Sequence, residues 1–299
     1  MNREKILIIG FGKMGLSHFK SLYKKNYIIH ILEKKKNDNI KDLQNNKFLN
    51  KKIFVLKKMP EKKKYLLTIS ATTPRERYSS ISQFLKKNKT KFLLLEKFTF
   101  SKIDQFNKFK NRFSKKTMTF INSWAYIIAK KLSLKKIDNF HLVCKINEGN
   151  LLANISHFIH LFSYLNNKNQ NIILNKSQYQ IIPNSIRSTY NEISGAINFE
   201  DSKKNKLTLI TKKKMRDLMV MTIYNRYSKI YRKVYLKKNL NFYYRLKNQK
   251  IFFRFPFSTK TTATFLKKCL VNNFNYMPSF DDDYTLSKFI LKKLKLKIC

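Results

Sequence analysis

The sequence predicts an α/β protein: a doubly wound parallel sheet at the N-terminus, followed by a second, strand-rich α/β region. Three observations carry that expectation. Over the first 117 residues, short apolar β-branched runs alternate with helical spacings of apolar residues. Glycine is scarce, five residues in 299 where ordinary usage is about 7%, yet three of the five stand together as Gly10, Gly12 and Gly15. From about residue 171 to 256 the helical spacing gives way to closely spaced strand-like runs.

Taken in order, residues 6–9 (Ile-Leu-Ile-Ile) form a run suited to a strand buried on both faces. Gly10-Phe11-Gly12-Lys13-Met14-Gly15 follows, then helical spacing over 14–23. A G-x-G-x-x-G turn between a strand and a helix is the phosphate-binding turn of a Rossmann-type dinucleotide fold. Gly10 allows the tight turn, Gly12 lets the pyrophosphate approach the backbone, and Gly15 lets the helix pack on the strand, with its N-terminal N–H groups facing the phosphates. Residues 27–32 are the second strand and end in Glu33, 18 residues beyond Gly15. A carboxylate there accepts a hydrogen bond from the adenosine ribose, which favours NAD. Lys34, Lys35 and Lys36 would instead suit the 2′-phosphate of NADP.

Residues 34–50 read as polar loop and helix, and 52–56 as a short strand. Residues 65–70 are another buried strand, ending at Ala71-Thr72-Thr73-Pro74, where proline stops the ladder and opens a helix that includes 78–87. Residues 91–95 are the next strand, ending in Glu96-Lys97, and Ser101 is expected to cap a helix to about 112. The first domain is placed at 1–117 and the second at 118–299. In the second, 118–123 and 140–145 are strand-like and 151–165 is helical. Runs at 206–210, 219–223, 242–246 and 251–255 read as antiparallel partners, and helices return at 262–271 and 281–293.

With 43% apolar residues the chain can bury a core for two domains, and no apolar run approaches the roughly 18 residues of a membrane span. The charged N-terminus leads straight into the first strand, so no cleavable signal is expected. Cys144, Cys269 and Cys299 are few, odd in number and widely spaced; they suit a reducing cytoplasm and match no zinc spacing. Lys and Arg number 64 against 17 Asp and Glu, a net charge of +47. The lysines run throughout the chain, and abundant Lys, Asn and Ile with little Gly, Ala and Pro point to A/T-rich codons; the shortage of acidic residues does not follow from codon bias. No specific nucleic-acid partner is expected from so diffuse a charge, only a salt-dependent attraction for anions.

Five segments in order, covering most of the chain, resemble the glucose–fructose oxidoreductase / inositol dehydrogenase (Gfo/Idh/MocA) family. GFGKMGLSH is similar to the family's glycine fingerprint extended to a histidine, here His18. ISATTPRERY is similar to A-T-P-P-x-x-H, with Arg77 in place of the histidine. KTKFLLLEKF is similar to G-K-x-V-x-x-E-K-P, keeping Glu96 and Lys97 and replacing the proline with Phe98. EGNLLANISHFIHLFSYL is similar to G-G-x-L-x-D-x-G-x-H-x-I-D-x-x-x-Y-L; Gly149, His157 and Tyr164 match, while Ala153 and His160 replace the two aspartates. PSFDDDYTLSKFI is similar to the terminal P-x-x-x-D-G helix start.

The resemblance implies a Rossmann domain followed by an α/β domain with an open, largely antiparallel sheet. It implies hydride transfer between NAD or NADP and a carbinol or carbonyl carbon of a sugar, cyclitol or nucleotide sugar, and possible homo-oligomers through the C-terminal sheet. Gly10, Phe11, Gly12, Lys13, Met14, Gly15, Glu33, Ala71, Thr72 and Glu96 then surround the cofactor. Lys97 and His157 are the catalytic candidates, and His160 and Trp124 the substrate contacts. Alcohol oxidation needs a base for the hydroxyl proton as hydride leaves, and a nearby cation steadies the developing alkoxide. Histidine titrates near neutrality. His157 and His160 lie three apart on an apolar helix, but no neighbouring carboxylate or thiolate completes a metal site. Ala153 removes one proton-handling group, which leaves two alternatives open: a nucleotide-binding homologue without turnover, acting as sensor or partner subunit, or a reductase of an unsaturated or tetrapyrrole substrate.

Overall fold

The computed structural model describes residues 3–34, 37–45, 52–134, 137–149, 151–167, 171–175, 177–183, 191–225, 227–246 and 249–294. They divide into two compact units, Met1–Trp124 with Pro256–Lys292, and Ala125–Phe255.

The first unit begins β1 (Lys5–Ile9), α1 (Lys13–Leu22), β2 (Ile28–Leu32), α2 (Asp38–Asn45), β3 (Ile53–Leu56), β4 (Lys64–Ser70), α3 (Pro74–Lys87), β5 (Lys89–Leu95), α4 (Ile103–Phe113) and β6 (Met118–Ile121). Its six strands are all parallel, in the order β3-β2-β1-β4-β5-β6. Strand order reverses between β1 and β4, the place where doubly wound sheets bind ligands beyond their carboxyl ends. Ile6, Leu7 and Ile8 are fully buried, as a central parallel strand requires. Pro74 opens α3 as expected, with Thr73 at the N-cap. Ser101 does not cap α4. Lys102 holds the N-cap position, and Gln105 turns back so that its Oε1 accepts the N–H groups of Ser101 (3.1 Å) and Lys102 (3.2 Å). Three residues into the helix, that amide reaches donors that a serine lying outside the first turn cannot.

The second unit follows with α5 (Ala125–Lys131), β7 (His141–Asn147), α6 (Leu151–Leu165), β8 (Ile172–Leu174), β9 (Gln178–Pro183), β10 (Asn191–Asp201), β11 (Lys206–Lys212), β12 (Met219–Tyr224), β13 (Ile230–Leu236), β14 (Asn241–Leu246) and β15 (Gln249–Arg254). They build a mixed sheet in the order β15-β14-β13-β12-β7-β11-β10-β8, with β9 on β10. Every pairing is antiparallel except β7 with β11. Helix α6 packs on β7, β10 and β11, and its start is held by Glu192, fully buried on β10, whose Oε1 accepts the Leu152 N–H at 2.7 Å. A carboxylate at that end also suits the helix dipole.

The chain then returns to the first unit as α7 (Ser258–Leu270) and α8 (Phe280–Lys293). Helix α7 packs on α1, with the Ala263 N–H donating to Ser21 Oγ at 3.0 Å. Phe280 of α8 enters a phenylalanine cluster on α4, its ring centroid 4.7 Å from Phe109. Ser279 and Asp282 cap α8 reciprocally, each side chain accepting the other's backbone N–H. The first unit therefore runs past residue 117: β6 pairs with β5 from Phe92↔Met118 to Leu95↔Ile121, and the two C-terminal helices join it. Among the described residues no helix is long and apolar enough to cross a membrane.

Candidate functional site

The glycine loop joins β1 to α1. Gly10 has φ +87°, and a Cβ there would lie 3.0 Å from both the Thr72 side chain and its backbone nitrogen. The turn after β1 thus lies directly against the end of β4. At Gly15 a Cβ would lie 2.1 Å from the Gly10 carbonyl oxygen, so the helix can approach the turn only with hydrogen in that place. Gly12 differs: a Cβ there would meet nothing within 4 Å. It is the N-cap of α1, no side chain caps the helix, and its first turn carries no acidic residue. Gly12, Lys13 and Met14 are exposed. Backbone donors at such an end suit an anion.

Phe11 turns the other way. Its ring is fully buried against Phe19, its N–H donates to Glu33 Oε2 at 2.7 Å, and its carbonyl accepts Asn39 Nδ2 at 3.0 Å. Glu33 is thereby held beside the loop, half-exposed at the end of β2. The Ala71 N–H donates to the Ile9 carbonyl at 2.8 Å, and Thr72 follows it. Gly10 to Gly15, Glu33, Ala71 and Thr72 therefore gather beyond the carboxyl ends of β1, β2 and β4, where strand order reverses. Lys34 is exposed next to Glu33; Lys35 and Lys36 lie outside the described residues. The open space at Gly12, which a side chain would fill, and the uncapped helix end fit a dinucleotide. A cavity of about 620 Å³ lined by Thr90, Met118, Phe274 and Phe280 opens instead at the amino ends of β5 and β6, away from this loop.

A second cluster surrounds the end of β5. The Glu96 carboxylate is buried, and its Oε1 lies 2.7 Å from His18 Nε2 and accepts Asn122 Nδ2 at 2.5 Å. His18, also fully buried, places Nδ1 2.8 Å from Thr262 Oγ1. That hydroxyl donates to the Ser258 carbonyl at 2.9 Å, so Nδ1 is the donor to it. Burial raises the Glu96 carboxyl, but the hydrogen bonds of His18 and Asn122 and the charges of His18 and Arg77 outweigh it and hold the group below the usual carboxylate range. Glu96 thus joins α1, β5 and α7.

Arg77, 1% exposed on α3, donates to the carbonyls of Thr72, Glu96, Phe98 and Thr99. From the other side, Thr99 Oγ1 donates to Asp283 of α8 at 2.6 Å. The Lys97–Phe98 peptide is cis. Across 96–100 every residue is buried except Lys97, which is half-exposed. Trp124, 7% exposed, is the last residue of the first unit's N-terminal stretch.

In the second unit His157 and His160 are buried on α6, and Ala153, four residues before His157 and half-exposed, shares their face. Lys97 belongs to the first unit and His157 to the second. Among the described residues no group of three His, Cys, Asp or Glu could hold a metal. Sequence reasoning missed Asn122, Ser258, Thr262 and Asp283, which reach the cluster from distant segments. The signal within reach was Arg77, an arginine inside a motif of a lysine-dominated chain.

No family model and no curated protein matches the sequence. Solved structures do match the fold. A dehydrogenase from Chromobacterium violaceum shares 10% identity with a TM-score of 0.65, over 99% of this chain and 95% of that one. The transcriptional regulator Gal80p from Kluyveromyces lactis shares 13% at a TM-score of 0.67, over 98% and 89%. A mutant 3-ketoreductase from Actinomadura kijaniata, in complex with TDP-benzene and NADP, shares 11% at 0.59, over 97% and 96%. The chain has the fold of Gfo/Idh/MocA-type dehydrogenases and oxidoreductases.

Proposed function

We propose that this protein is an NAD(P)-dependent oxidoreductase acting on a carbinol or carbonyl carbon of a sugar-like substrate. The observation that carries the reading is the loop at Gly12: open space over an uncapped helix end, with Glu33 beside it and strand order reversing beneath it. The helix-end N–H groups and Lys13 receive the pyrophosphate, and Glu33 receives the ribose. Bound there, the nicotinamide supplies or accepts the hydride. Lys97, the single solvent-facing residue of a clasped segment, supplies the cation and proton at the substrate oxygen. His157 and His160 on α6, and Trp124, are the further candidates for proton handling and substrate contact. The reading is supported by the structural neighbours, one of them a 3-ketoreductase in complex with NADP.

Ala153 favours a second reading, a nucleotide-binding protein without turnover, and one structural neighbour is a transcriptional regulator. Titration with NADH and NADPH, followed by nicotinamide fluorescence, tests both against a Gly12→Val control. Saturable binding lost in the variant supports the cofactor site, and turnover of a sugar or nucleotide sugar then separates the two readings. Absence of binding by either nucleotide rejects both.

A further inference from the structure

Lys97 is the one residue of 96–100 that is not buried, and the chain on both sides of it is gripped from distant elements. Arg77 of α3 donates to the carbonyls of Glu96, Phe98 and Thr99, and Asp283 of α8 accepts the Thr99 hydroxyl. Residue 96 is also gripped through its side chain. Glu96, 5% exposed, places Oε1 2.7 Å from His18 Nε2 and accepts the Asn122 amide at 2.5 Å. Hydrogen bonds to a carboxylate are strong at such lengths, and more so away from water.

His18 differs from the other ties in its origin. It lies on α1, six residues after Gly12, and so about 9 Å along the axis from the uncapped helix end. Its ring is fully buried and both nitrogens are engaged, Nε2 with Glu96 and Nδ1 with Thr262 of α7 at 2.8 Å. A ring held at two points cannot turn or withdraw without leaving a buried polar group unpaired. It therefore fixes the spacing between α1 and the end of β5. We propose that His18 is a positioning residue: through Glu96 it sets where Lys97 stands relative to a nucleotide at the N-terminus of α1. This rests on the reading of that loop as the cofactor site and of Lys97 as the cation at the substrate oxygen. A lysine head rides on a flexible four-carbon stem, and a productive site tolerates about 0.5 Å of error, so the backbone beneath Lys97 has to be held by its neighbours.

Two substitutions, each keeping one contact of the ring, test this. Glutamine places its amide where Nε2 stands and keeps the tie to Glu96; asparagine places its amide where Nδ1 stands and keeps Thr262. Both remove the same ring from the core, so a merely structural role predicts equal effects. NMR of the full chain carrying lysine labelled with carbon-13 at Cε reads Lys97 directly, its signal identified by its loss in Lys97→Arg. Nicotinamide fluorescence reads NADH binding separately. His18→Gln should keep the wild-type Lys97 signal and its movement on adding NADH. His18→Asn should displace the signal in the free protein and lose that movement, while NADH affinity changes less than about threefold. A wild-type signal in His18→Asn overturns the proposal, and so does an equal displacement in both variants. It is also overturned if NADH binds the wild type and leaves the Lys97 signal unmoved. If neither variant folds, Thr262→Val keeps the imidazole but releases Nδ1; it should displace the signal, and an unmoved signal overturns the proposal. Failure of the wild type to bind NADH rejects the cofactor reading instead, and the Lys97 signal of the free protein still decides whether His18 places it.

Discussion

At Gly15 and Gly12 two glycines three residues apart do different physical work. An added methyl at Gly15 would stand 2.1 Å from the Gly10 carbonyl oxygen, a contact no side-chain adjustment relieves. At Gly12 the backbone has φ −71° and the space is open. Gly15→Ala should therefore cost about 3 kcal/mol of stability by overpacking. Gly12→Ala should cost about 0.5 kcal/mol, the price of a poorer N-cap. Chemical denaturation of the two variants checks the pair; equal losses would contradict the assignment of Gly12 to ligand space. The spacing of these glycines was legible in the sequence. So was their division, Gly15 to packing and Gly12 to open space; what was not legible is the atom that Gly15 must clear, the Gly10 carbonyl oxygen, because its place depends on the fold of the turn.

Among the elements, the segment after β5 shows how distant parts of the chain hold one short stretch. The guanidinium of Arg77 binds four carbonyls from α3, and Asp283 binds Thr99 from α8. Arg77→Leu leaves these buried acceptors without their donor and should destabilise the protein by about 3–5 kcal/mol. Arg77→Lys should recover only part of that, since an ammonium cannot fork across several carbonyls. Melting curves of both variants decide it; a full recovery by lysine would mean that charge alone is needed. Read from sequence, Arg77 is a departure from a histidine motif, and only its position beside 96–99 gives it a task. Helix α5 escaped the sequence reading for a related reason. Ala125 to Ala129 are all buried, so the segment lacks the polar face that marks an amphipathic helix. The parallel pairing of β7 with β11 was equally hidden, because alternation within a strand does not state the direction of its neighbour.

For the whole molecule, 64 basic against 17 acidic side chains make self-repulsion a standing cost of compactness. Added neutral salt screens charges beyond about 10 Å and should raise the melting temperature by several degrees, as scanning calorimetry would read. A flat response would show that local pairs already offset the repulsion. By itself the sequence determined the class of fold, the order of strands and helices in the first unit, and the glycine turn with its carboxylate, since each rests on residues close together in the chain. The tertiary structure decided the rest: the extent of the first unit, the His18–Glu96–Asn122 cluster and the clasp on residues 96–99. Each of these depends on segments far apart in sequence, and only packing and strand register bring their side chains within reach of one another.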